Sequence, residues 1–467
     1  MPRFWVPSSS SPLAITTARS DVPAQECIRR AWRFVSSELG AYPWVTAAVA
    51  LALLFLTPAM AWAGDPTPAP PGDDPGVPRQ VFGGPQGVSG QLLHDRGVGG
   101  VPRVALPPGP SRSYLGWKDR LARRTGLSLG ADYNVFFQQA APTLSGTPGN
   151  AAAGIFRVYG NWSLVARDTD REGSFVFKVE SRSRLGTKLS PNNLGLAQGS
   201  LFPSATTFSD WGWGISNLEW QQHVRLGEVR GGFALGQVDV TDWLTVLEPA
   251  NPWVGFTSIV PLVYPTNPVP DQGLGAMAFV FLRDQSTPYV MLGTSDADGE
   301  PTRPFGDSPI DTRAWYSYAE VGWTPSYAER YQKNVRLTWW NVDAREAAGS
   351  PAGSGVSATA TWKIGCDRWS PFLHAGHSFG GAALARTSVS VGSTYALCQG
   401  DLAGLALAWA RPTDDELRNQ VSMEVFYNFR VSEHVHVTPD LQLVLHPSRR
   451  SAEGVLCLLG LRVRLDL

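Results

Sequence analysis

Residues 455–467 close the chain with the sequence VLCLLGLRVRLDL. From Val455 to Leu467 the odd positions are all apolar, whereas Arg462 and Arg464 occupy even positions. Because successive side chains of a β-strand point to opposite faces, this alternation predicts a strand with one apolar face. Soluble strands usually have about five or six residues, whereas a tilted membrane-spanning strand needs about 9–11. The stretch therefore predicts a strand that crosses a membrane.

The same alternation recurs from Leu127 onward. The expected strands are 127–138, 156–164, 175–184, Trp213–Val224, Glu228–Val238, Gly273–Arg283, Tyr289–Asp298, Ala314–Thr324, Asn334–Asp343, Gly355–Ile364, Ser370–Gly380, Gly400–Arg411, 421–431, Val435–His446 and 455–467. Closed bacterial barrels have an even number of strands, so a further strand is expected in an irregular stretch. The pattern predicts an all-β fold, a transmembrane antiparallel β-barrel of about 16 strands. A secreted soluble β-protein, such as a lectin sandwich or propeller, is the alternative.

The composition of the 467 residues agrees with such a barrel. Lys and Arg total 39 against 40 Asp and Glu, so the chain lacks the basic footprint that nucleic-acid binding needs. Only 17% of residues are charged, and the 18 Trp suit the aromatic girdles at the two membrane interfaces. Frequent Gly and Pro (48 and 37) argue against long helices.

The N-terminal residues indicate export. Arginines precede an apolar run, Val45–Leu56, and a small-x-small cleavage site ends at Ala63, so we interpret residues 1–63 as a signal peptide. An uncleaved anchor helix is the alternative. Residues 64–110 are rich in Pro and Gly and predict a flexible linker, and residues 111–467 the barrel. Cys366, Cys398 and Cys457 would remain after cleavage, and a Cys366–Cys398 bridge stays open.

Polar residues opposite the apolar rows are the candidates for lining a pore. They are Arg157, Lys178, Glu180, Arg182, Arg184, Glu219, Glu424, Arg430, Asp440, Gln442, Arg462 and Arg464. They either solvate the interior and hold the wall by ion pairs, or a minority of them selects solute. Because basic residues outnumber acidic ones among them, we expect a mild preference for anions. The proline-rich stretch Asp242–Asp271 is expected to fold into the lumen as a constriction loop, with an external loop as the alternative.

One motif suggests an enzyme instead. Gly376-His377-Ser378-Phe379-Gly380 fits G-x-S-x-G, in which Ser378 would be a hydrolase nucleophile. That elbow needs a parallel sheet with crossover helices, and the surrounding pattern predicts none. The sequence predicts no metal site, cofactor or catalytic residue.

Several segments resemble the carbohydrate-selective porin family, the OprB type. They are Gly116–Ala122, Thr125–Leu129, Leu218–Gln222, Leu235–Val240, Glu424–Tyr427, Val437–Gln442 and Gly460–Leu465. The resemblance covers roughly residues 116–467. Two positions depart from it, since Gln237 stands where the family usually has a basic residue and the chain ends on Leu467 rather than on an aromatic residue.

The resemblance implies an outer-membrane porin that passes small hydrophilic solutes, most of all sugars, by diffusion. Its partners would be these solutes and the lipid of the outer membrane, with no nucleic acid, and a homo-oligomer is compatible with the fold. Two alternatives stay open: a serine hydrolase that uses Ser378, and a binding barrel that transports nothing because its own loops plug it.

Overall fold

Sixteen antiparallel strands close into a single barrel, in which each strand pairs with its sequence neighbours and β1 pairs with β16. The computed structural model describes residues 83–97, 103–104, 108–244, 246–249, 251–304, 314–345, 349–364, 368–397, 400–450 and 454–467. The expected fold class and strand number are therefore confirmed. The predicted signal peptide, Cys366 and Cys398 lie outside the described residues.

The strands have nearly the lengths that the alternation predicts. They are β1 Leu127–Ala141, β2 Asn150–Val165, β3 Gly173–Arg184, β4 Gly212–Leu226, β5 Val229–Val238, β6 Gly273–Phe281, β7 Gln285–Asp296, β8 Trp315–Ser326, β9 Lys333–Val342, β10 Gly353–Trp362, β11 Trp369–Gly380, β12 Ala385–Ala396, β13 Leu402–Pro412, β14 Gln420–Arg430, β15 Val435–Leu445 and β16 Val455–Asp466. The helices are α1 Val88–Gly97, α2 Pro108–Thr125, α3 Pro191–Ala197 and α4 Ile259–Leu262, with a 3₁₀ turn at Val240–Asp242. Within the described part of the chain, no helix is both long and apolar enough to cross a membrane.

The strand that the alternation does not reveal is β12. Its exposed face carries Val389 and Val391, whereas Ser388 and Ser390, which alternate with them, lie buried. These two valines alone make too short an apolar row to predict a strand of membrane-spanning length. The strand follows from closure of the barrel rather than from its own pattern.

Lipid-facing and lumen-facing side chains alternate as expected. On β16, Leu459, Leu461 and Leu465 are exposed, whereas Arg462 and Arg464 are buried inside the barrel. Exposed aromatic residues lie near both barrel ends, and Trp323 of β8 stacks on Trp362 of β10 across the outside of β9 at a centroid distance of 5.8 Å. These features match a membrane barrel with aromatic girdles.

The connections differ in length between the two ends of the barrel. Turns at one end are short, as at 227–228 and 282–284, whereas the other end carries loop L2 (residues 185–211) and loop L3 (residues 239–272). Long loops face the outside in outer-membrane barrels, so this end is the extracellular one. Both long loops bury apolar side chains inside the lumen, among them Phe208 of L2 and Trp243 and Phe256 of L3. The stretch that was expected to form a constriction loop therefore lies within the barrel.

The linker prediction is wrong for residues 83–97. They enter the lumen and include α1, in which Val88 and Leu92 pack against Tyr159 and Val176 of the wall. Residues 83–97 show no amphipathic pattern in the sequence. Polar contacts to distant strands hold the segment, and such contacts leave no local pattern. We call residues 83–97 the N-terminal plug.

Candidate functional site in the barrel lumen

All of the predicted pore-lining residues except Arg184 are buried inside the barrel. Arg184 stands at the end of β3, where it pairs with Asp210 and donates to the carbonyl of Lys188 at 3.0 Å, both in L2. It therefore lies at the extracellular mouth rather than deep in the lumen. The other candidates fall into three groups, each tied to a segment inside the barrel.

The first group surrounds two carboxylates. Asp132 of β1 accepts from Arg157 (Nε to Oδ1, 2.8 Å) and from Arg464 (Nε to Oδ2, 3.0 Å). Arg464 also donates to Asp95 of the plug at 2.7 Å, and Tyr159 donates to the other Asp95 oxygen. Burial alone would raise the pKa of Asp95, but the charges of Arg464 and His94 outweigh it and lower the pKa to about 2. The plug is thus held by an ionised carboxylate.

The second group lies where β3, β4 and the start of L3 meet. Lys178 approaches Asp239 at 3.8 Å, and Asn217 donates to Asp242 at 3.0 Å. Burial raises the pKa of Asp242 to about 7, against the lowering effect of Lys178. Further predicted residues complete this region: Glu180 pairs with Arg182, which donates to the Thr207 carbonyl at 2.8 Å, and Glu219 accepts from Gln221 at 2.6 Å. These side chains hold L2 and L3 against the wall.

The third group fixes L3 from the opposite wall. Arg462 donates to the carbonyl oxygens of Pro252 at 2.6 Å and Gly255 at 2.8 Å. Glu424 accepts from the backbone N–H groups of Thr257 at 2.6 Å and Ser258 at 3.1 Å. Gln442 donates to the Thr257 hydroxyl (3.0 Å) and to Asp440 (3.0 Å), and Arg430 lies nearer the periplasmic end. Most of the predicted residues therefore act as anchors of the inner loops.

Clefts remain between the loops and the wall, and two of them bear on function. The upper cleft lies between L2, L3 and strands β13–β16. Glu424 and Gln442 line it together with the hydroxyl-bearing residues Ser204, Ser258 and Ser422. Its lining presents donors and acceptors of the kind that a polyhydroxylated solute can use. Of the predicted residues, these two border a cleft.

The lower cleft was missed by sequence reasoning. It lies between L3, the edge of the plug and strands β6–β9, close to the short turns. Phe281 and Tyr289 form part of its wall, with Glu320 and Arg336 between the rings. On β6 both rows are apolar, so the pattern could not say that Phe279 and Phe281 face inward while Val280 and Leu282 face lipid.

The G-x-S-x-G motif has a structural explanation. Ser378 lies on β11, an antiparallel strand, and its hydroxyl donates to the Ala385 carbonyl at 2.8 Å. A Cβ at Gly376 would stand 2.1 Å from Oγ1 of Thr266, so the glycine lets L3 touch the wall. Gly380 has φ +86° and turns the chain toward β12. The elbow that a hydrolase nucleophile requires is not formed at this serine.

The charge balance of the lumen differs from the expectation. The predicted residues carried a basic excess, but buried carboxylates outside that set, including Asp132, Asp239, Asp242 and Glu320, accompany the basic side chains. Asp132 alone contacts two of the arginines, Arg157 and Arg464. The count behind the anion preference was therefore incomplete.

Comparisons with known proteins agree with the fold. The structure of Pseudomonas putida OprB at high pH is similar to this one, with a TM-score of 0.62, 14% identity, and coverage of 76% of this chain and 97% of that chain. The low-pH structure of the same protein (TM-score 0.44, 13% identity, 78% and 100% coverage) and a triple mutant of the Rhodopseudomonas blastica porin (0.43, 13%, 73% and 100%) also match. No curated protein matches this sequence.

The C-terminal part of the barrel is similar to a known family. Residues 306–467 match the model of the carbohydrate-selective porin, OprB family. This region contains β8–β16, including the closing strands on which the expected resemblance was strongest. The barrel fold and this match identify the chain as an outer-membrane porin whose C-terminal part is similar to the carbohydrate-selective OprB family.

Proposed function

We propose that this porin passes small sugars by diffusion and that the upper cleft is the place where solute is selected. The observation that carries the proposal is the lining of that cleft, in which Glu424, Gln442 and serine hydroxyls converge. Weak hydrogen bonds to such groups permit both entry and release.

In this proposal Glu424 and Gln442 are the predicted residues that touch solute. Each also anchors L3 through Thr257, so recognition and loop position depend on the same side chains. The remaining predicted residues, from Arg157 to Arg464, act as positioning residues that hold the loops and the plug. Residues 1–63 are proposed to direct export, and residues 64–110 to connect them to the barrel, with residues 83–97 held in its lumen as the plug.

Liposome swelling tests the transport proposal. Vesicles that contain the purified porin should swell with sugars of one ring and progressively less with longer oligosaccharides, because two narrow clefts limit the passage. A set of amino acids and anions of matched size gives the selectivity. Equal swelling with every solute, irrespective of size and charge, would contradict a selective cleft.

A barrel that binds solute without transporting it is the second candidate. The observation in its favour is the filling of the lumen by L2, L3 and the plug, whose buried side chains pack against the barrel wall. Purified protein that produces no channels in planar bilayers would support this candidate. Sizing of the protein in detergent tests the expectation of a homo-oligomer.

A further inference from the structure

Helix α2 lies at the periplasmic end of the barrel, just before the chain enters β1. Lys118 of this helix donates to the carbonyl oxygen of Leu467, beyond the end of β16, at 2.8 Å. At the last residue of the helix, the carbonyl oxygen of Thr125 accepts from the indole Nε1 of Trp162 at 3.1 Å. Trp162 belongs to the outward row of β2 and is exposed on the lipid-facing surface. The helix therefore joins the barrel at the level where the lipid-facing wall begins.

The two sides of α2 differ in exposure and in chemistry. The side toward the barrel includes Lys118, the buried Ala122, and Asp119, which pairs with Arg96 of the plug at 3.8 Å. Residues spaced by three or four positions share one face of a helix. The exposed face carries such a series, which is Tyr114, Trp117, Arg120 and Arg124.

The first half of this exposed face is aromatic. Tyr114 and Trp117 are 39% and 46% exposed, and their rings stack on each other at a centroid distance of 5.9 Å. Trp and Tyr are enriched at membrane–water interfaces, because each combines an apolar ring with a polar tip. Two exposed rings on a helix that ends beside Trp162 are therefore placed as part of an aromatic girdle.

The second half of the exposed face is basic. Asp119 is the one acidic residue of α2, and the basic residues are Arg112, Lys118, Arg120, Arg123 and Arg124. Among the described residues, no carboxylate pairs with Arg120, Arg123 or Arg124. The helix dipole favours cations in the last turn, which accounts for Arg123 and Arg124 but not for Arg120, one turn earlier. The exposed arginines thus leave their donors available to an anionic partner outside the barrel.

A further arginine reaches the same end of the helix from the turn between β2 and β3. Arg167 is exposed, and its Nη2 donates to the carbonyl oxygen of Thr125 at 2.8 Å. This contact holds the guanidinium close to the last turn of α2. The positive surface therefore extends from the helix onto the rim of the barrel wall.

We propose that α2 is a binding surface for anionic phospholipid in the periplasmic leaflet of the outer membrane. Tyr114 and Trp117 lie among the lipid headgroups, and Arg120, Arg123 and Arg124 bind the lipid phosphates. A planar guanidinium suits this role because it donates two parallel hydrogen bonds to one phosphate.

Two observations favour a lipid over a protein as the occupant. The surface is continuous with the lipid-facing wall at Trp162, and its charge is complementary to anionic headgroups. Helices that combine aromatic residues with a basic face commonly lie in the plane of the membrane interface.

The test measures hydrogen–deuterium exchange of the backbone amides of residues 114–125 in the full-length porin. One set of vesicles contains phosphatidylcholine alone, and the other contains phosphatidylcholine with phosphatidylglycerol. A helix that binds lipid opens less often, so its amides exchange more slowly. Both leaflets of a vesicle have the same composition, so the direction of insertion does not affect the comparison.

The test variants are Arg120→Gln and Arg124→Gln. Arg303→Gln is the matched control, because Arg303 is an exposed arginine in the loop between β7 and β8, at the extracellular end. Each change removes one positive charge and keeps a polar side chain of similar length.

The wild-type amides should exchange more slowly in the vesicles that contain phosphatidylglycerol. Each test variant should reduce this protection about fivefold, which corresponds to the contribution of about 1 kcal/mol that one arginine makes near an anionic surface. Arg303→Gln should preserve the protection, and high salt should weaken it.

Equal exchange of the wild-type helix in the two kinds of vesicle would overturn the proposal. A loss of protection in Arg303→Gln as large as in Arg120→Gln would overturn it as well. Protection that does not depend on phosphatidylglycerol but rises with the density of porin in the vesicle would identify a second copy of the chain as the occupant, and would refute the lipid assignment.

Discussion

Replacement of Asp95 by Asn should release the N-terminal plug from the lumen. Asp95 is the carboxylate that joins the plug to Arg464 at 2.7 Å and to Tyr159, and its side chain is 15% exposed. Its pKa is lowered from 3.8 to about 2. At about 1.4 kcal/mol for each tenfold change in the ionisation equilibrium, the ionised carboxylate stabilises the docked plug by about 2.5 kcal/mol. The substitution should therefore shift the docking equilibrium roughly sixtyfold toward release.

Hydrogen–deuterium exchange of the α1 backbone amides measures this equilibrium. Exchange of residues 88–97 should accelerate roughly sixtyfold in Asp95→Asn, because these amides exchange when the helix opens. Asp119→Asn is the matched control, since Asp119 belongs to the neighbouring α2 and makes only an exposed pair with Arg96 at 3.8 Å. Single-channel conductance of the same variants would show whether release widens the pore.

The sign of the pH dependence follows from the lowered pKa. The stabilisation by Asp95 is complete above the ordinary value of 3.8 and is lost as the pH falls through about 2. After correction for intrinsic exchange rates, the wild-type plug should thus open more readily below about pH 4, and Asp95→Asn should not share this dependence. Exchange that changes less than twofold in Asp95→Asn, or equally in Asp119→Asn, would refute the assignment of Asp95 as the anchor.

Other predictions concern L3, the lipid face, the serine motif and ion selectivity. Arg462→Gln should loosen L3 by about 1.5–3 kcal/mol for each charged hydrogen bond lost, seen as larger and noisier single-channel currents, and unchanged currents would contradict this anchor role. Leu461→Arg should destabilise the barrel by about 2–4 kcal/mol in urea unfolding from vesicles, because Leu461 faces lipid near the middle of β16; a tolerated arginine would reverse the facing assignment. Ser378→Ala should leave sugar swelling unaltered, and a hydrolytic activity lost with this serine would revive the enzyme alternative. Reversal potentials in a salt gradient should show weak selectivity, since carboxylates accompany the lumen arginines, and a strong preference for either ion would mean that this charge balance is incomplete.

The wall of the barrel could be predicted from the sequence because its signal is local. Along a strand such as β16, alternation places Leu461 against lipid and Arg462 toward the lumen. The direction of each side chain follows from the strand geometry and does not depend on distant contacts. The even strand number of closed barrels supplied the strand that alternation missed, β12. The same two-residue alternation predicted that the polar side chains of each strand face the lumen. For this reason nearly all of the predicted lumen residues lie inside the barrel.

What fills the barrel was decided only by the tertiary structure. The plug depends on Asp95 and Arg464, which are 369 positions apart, and no local pattern reports such a pair. The lower cleft could not be predicted because both rows of β6 are apolar. Only the register of β6 with its neighbouring strands shows that Phe281 faces the lumen. Most predicted pore residues became anchors of L2, L3 or the plug, since a buried charge is stable only with a partner, and the inner segments supply these partners. A strand's faces are fixed by backbone geometry within a few residues, whereas the contents of the lumen are fixed by contacts between segments far apart in the chain.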